Sequence, residues 1–164
     1  MALKSNFNEA QSMRDVEKQA ETLYTKILRS FIYAGEKFII NARGQMQDHA
    51  MGQYKDQTKN LRSSIGYLVY HNGELALKNM DGKNTSFPGE AGLGESKVQD
   101  LIKPSGFQLI GIAGMNYASH VESKGYNVIS YQADICMVDL AGFLENLEVI
   151  EQGSAARMEE TFIP

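Results

Sequence analysis

IGYLVYHNGELALK, residues 65–78, decides the fold class. Two apolar runs, GYLVY and ELALK, flank His71-Asn72-Gly73 with side chains alternating at a period of two. Asn-Gly between such runs is the strongest short-range hairpin signal, because a tight two-residue hairpin turn takes φ > 0 at both central positions. The stretch predicts an antiparallel hairpin, and with it a sheet whose neighbours must supply the rest of the core.

On the N-terminal side the period changes to that of a helix. Val16, Ala20, Leu23, Ile27, Phe31, Ala34 and Phe38 fall three or four apart, widened by Tyr24, Leu28 and Ile39, and predict an amphipathic helix over residues 14–42. Gly35 lies inside the pattern at a cost of about 1 kcal/mol against Ala, which implies a break or a close contact there. Gly44 is the expected stop. Residues 45–54 have little periodicity. Asp56 and Thr58 then offer capping side chains ahead of a short helical turn at residues 59–64.

On the C-terminal side, residues 81–106 hold five of the fifteen glycines and two of the three prolines, so they read as a long loop, with a short helix possible over residues 97–103. FQLIGIAG, residues 107–114, reads as a buried strand, residues 117–122 as one helical turn, and residues 126–129 as a short strand after a bend at Gly125. Ile135, Val138, Leu140, Phe143, Leu144, Leu147 and Ile150 predict a last helix. The expected architecture is one α+β domain over residues 1–164. It has a long N-terminal amphipathic helix packed on a mostly antiparallel sheet, with a C-terminal helix. Residues 1–12 are expected to be a flexible N-terminus and residues 152–164 a polar tail.

The chain's 43% hydrophobic and 22% charged residues are ordinary for a globular domain. Its net charge of −4 argues against a protein that grips nucleic acid, which needs clustered Lys and Arg. DNA would at most pass through a channel. Cys136 is the one cysteine, which excludes an intrachain disulfide and a Cys-rich zinc site. The first twenty residues lack the apolar centre of a secretory signal, and no apolar run reaches the ~20 residues of a membrane span.

Candidate chemistry fails on specific residues. Gly89-Glu-Ala-Gly-Leu-Gly94 has P-loop spacing, but Glu95 stands where the phosphate-binding lysine belongs. His120-Val-Glu122 has the spacing of zinc deaminases without their Pro-Cys-x-x-Cys element. His49, His71 and His120 form no i,i+4 pair, and Cys136 sits among Ile135, Met137 and Val138 as a buried, inert thiol. No catalytic, cofactor-binding or metal-ligating set is expected, and no cofactor.

Two segments carry a resemblance. DQTKNLRSSIGY, residues 56–67, resembles the T-G-x-L-R-x-S-I signature of the tail-completion (neck) protein family of long-tailed bacteriophages, with Lys59 in place of the usual glycine. NYASHVESKGYNVI, residues 116–129, resembles that family's Y-A-x-x-V-E element and the glycine after it. A long helix precedes the first motif and a helix follows the second, in the family's order. The resemblance implies a structural virion protein, not an enzyme. It would complete or join the tail at the head–tail neck through a homo-oligomeric ring and contacts with connector, tail-terminator or tail-tube proteins. It would reside in the virion, and in the host cytoplasm during assembly. The motif residues would be structural or interfacial: Thr58 capping the turn, Leu61 as buried anchor, Arg62 as a charged donor facing Glu122 in an ion pair, with Ser64 and Tyr117 beside them. The loop at residues 81–106 and the polar ends would be contact arms. The alternative is a small cytoplasmic binding module that oligomerises without any virion role.

Overall fold

The computed structural model describes residues 8–44, 60–80, 98–115 and 117–159, residue 60 and those beyond 147 as backbone only. The first element, α1, runs Glu9–Gly44, 36 residues, or about 54 Å at 1.5 Å per residue. It begins earlier than the apolar stripe predicts. Asn8 caps it, its Oδ1 accepting the Gln11 N–H at 3.3 Å, so residues 8–12 belong to the helix and its cap and not to a flexible end. Polar residues in that first turn carry no periodic signal, which is why the start is not legible in the sequence.

The short helix α2 (Asn60–Ser63) leads into β1 (Ile65–His71), which turns into β2 (Glu74–Asn79). Asn72 and Gly73 take φ of 52° and 83°, the two positive values that a type I′ turn requires. The hairpin tip is tied to the approach to β3 (Phe107–Ala113): the Asn72 N–H donates to the Gly106 carbonyl and the Gly106 N–H to Asn72 Oδ1, each at 2.9 Å. The sheet has the order β2-β1-β3, antiparallel throughout.

Central β1 is buried on both faces, which explains its nearly unbroken apolar sequence. Ile65, Tyr67 and Val69 face the main core with Phe31, Ala34, Phe38 and Ile39 of α1. Leu68 and Tyr70 face a second cluster with Ile110, Ile112 and Val98, backed by Met80 and Ile102. Gly35 is the close contact that its place in the stripe implied. A Cβ there would stand 2.5 Å from the Tyr67 ring, so the helix approaches the sheet only because that atom is missing. Tyr67 is fully buried, and its hydroxyl donates to Glu36 Oε1 at 2.9 Å. Burial first, and the neighbouring Glu36 carboxylate second, push that phenol well above its ordinary range.

Helix α3 (Ala118–Ser123) and the long α4 (Ser130–Glu159) complete the chain, and α4 packs on α1. There Lys37 Nζ pairs with Asp139 Oδ2 at 2.6 Å, and the Tyr33 and Phe143 rings meet edge to face at 5.0 Å.

Four expectations need correction. Residues 126–129 are a bend and not a strand, because their backbone curls around a carboxylate described below. Residues 97–103 give only a single 3-10 turn, Gln99–Leu101, in which Val98 is buried but Leu101 is exposed; residues 81–97 of the long loop lie outside the described residues. The last helix continues through Glu159, beyond the polar switch after Gln152 that suggested its end. Val138, placed on its packed stripe, is 75% exposed.

Candidate assembly interface

The motif residues that the structure describes act as joints of the scaffold. Leu61 is fully buried, and Ser64, 2% exposed, donates its hydroxyl back to the Leu61 carbonyl at 2.7 Å. The Ser64 carbonyl in turn accepts the Gly114 N–H at 3.1 Å, so one residue closes the helical turn and ties down the end of β3. Thr58 lies outside the described residues. Arg62 is half-buried on α2, and Tyr117 is exposed at the start of α3.

Glu122 is spent differently from the expected ion pair with Arg62. Its Oε1 accepts the Ile129 N–H, the Ser130 N–H and the Ser130 hydroxyl, each at 2.9 Å. These are the first amides of α4, whose donors have no partner within the helix and whose dipole favours a negative charge. Burial raises the Glu122 carboxyl, but the donors from Ile129, Ser130 and Val128 outweigh it and hold the group below its ordinary value. The two motifs meet through packing instead: Leu61, Met115, Ala118 and Val128 belong to one core cluster.

The candidate chemical residues stay apart. His71 stacks on Phe107 at 4.4 Å and meets Tyr24 at 5.0 Å, His120 is exposed, and His49 and the Gly89–Gly94 motif lie outside the described residues. Cys136 is buried, its Sγ donating to the Ala34 carbonyl at 3.5 Å, and burial pushes its thiol up. Among the described residues no group of three or more His, Cys, Asp or Glu could hold a metal ion, and no helix is long and apolar enough to cross a membrane.

Two apolar features are new. The first turns of α1 run past the sheet as an arm: Met13 and Val16 are 61% and 63% exposed, and burial of the stripe begins only at Leu23. The second is an apolar groove of about 340 Å³ between α1, β3 and α4, walled by Phe31, Phe38, Leu109, Cys136, Met137 and Leu140. Three separate segments build that groove, so no local pattern announces it. The arm's residues are visible in sequence, but the same period that places them on one face cannot say whether anything covers it.

Compared with known proteins, the chain matches no protein-family model, no curated protein and no solved structure.

Proposed function

We propose that the chain is a structural subunit of a long-tailed bacteriophage, completing or joining the tail at the head–tail neck. It works by assembling in a ring with copies of itself and by contacting connector, terminator or tube proteins, and it performs no chemistry of its own. The observation that carries the assembly role is the α1 arm, about four turns of helix with Met13 and Val16 exposed on one stripe. Met13, Val16 and Ala20 keep the spacing of three and four by which an amphipathic helix docks on a partner. The neck assignment rests on the two sequence motifs. Leu61 and Ser64 of the first, and Ala118 and Glu122 of the second, occupy structural joints, as residues conveying shape rather than catalysis would.

The test is direct. Tailed particles from a genome encoding this chain are purified, and the chain is located by gold-labelled antibody in electron micrographs. The reading expects label at the junction of head and tail, and label elsewhere or none in particles and assembly intermediates overturns it. The competing reading, a small binding module, draws on the groove, whose 340 Å³ falls in the range of small-molecule pockets. It predicts a stable monomer or dimer without association with virion proteins.

A further inference from the structure

We draw no further inference here: the strongest candidate, the apolar groove between α1, β3 and α4 walled by Phe31, Leu109 and Met137, carries nothing because nothing in the structure shows what covers it.

Discussion

Replacing Gly35 by alanine sets two effects of known size against each other. Ala is preferred to Gly inside a helix by about 1 kcal/mol, so helix propensity alone predicts a more stable protein. The new Cβ, however, would lie 2.5 Å from two ring carbons of Tyr67 and 2.7 Å from a third. That ring must withdraw by about 1 Å to reach ordinary contact, and it has nowhere to go: Tyr67 is fully buried, its hydroxyl held by Glu36. Overpacking of this kind costs about 1–3 kcal/mol, and moving the hydroxyl off Glu36 adds about 1 kcal/mol. The net expectation for Gly35→Ala is a loss of about 1–3 kcal/mol, or roughly 2–10 °C in Tm for a domain of this size. Gly142, in α4, has open space where its Cβ would stand, with nothing within 4 Å. Gly142→Ala therefore keeps only the propensity gain and should be more stable by up to about 1 kcal/mol. Urea and thermal unfolding followed by circular dichroism read both. Equal signs for the two variants would refute the reasoning, because the close helix–sheet approach is the only thing that separates them.

Glu122→Ala removes the acceptor of three donors at the start of α4 and should cost about 1–2 kcal/mol, the usual worth of a helix cap, in unfolding experiments at neutral pH. Because the Glu122 carboxyl is lower in the folded protein than its ordinary value of 4.5, its contribution is present above that value and is lost as pH falls through the folded one. The gap between wild type and variant should therefore shrink with acidification below about pH 4.5, and a gap that stays constant would refute the charged role. Gly73→Ala forces a side chain to φ +83° and should destabilise by about 1 kcal/mol, whereas Asn72→Asp, which keeps an oxygen to accept the Gly106 N–H at a φ of 52°, should be nearly neutral. Chemical denaturation separates those two. The Cys136 thiol, 7% exposed and raised by burial, should alkylate far more slowly in the native protein than in urea; equally fast labelling in both would place it at the surface.

The hairpin and the two long helices are legible in the sequence because their signals are local. Asn72-Gly73 needs only its own backbone to specify a turn, and the stripe from Leu23 to Phe38 needs only the helical period. Residues 126–129 mislead because β-favouring Tyr126, Val128 and Ile129 look like a strand locally. What decides them is the carboxylate of Glu122, seven residues before Ile129, which draws their amides into a cap. The expected Arg62–Glu122 pair fails for the same reason: a sequence shows a charge but not the donors that reach it first. The groove is beyond sequence reading altogether, since Phe31, Leu109 and Leu140 come from three elements whose crossing creates it. The exposure of Val16 lies between these cases. Its face is legible, but not that the side chain stands 63% exposed.

Deleting this chain from the genome of a tailed phage that encodes it, and examining the lysate by electron microscopy, tests the central claim most directly. Separate filled heads and tails, joined again when the purified chain is added back, are the predicted result. Normal numbers of joined, infectious particles in its absence would contradict the account.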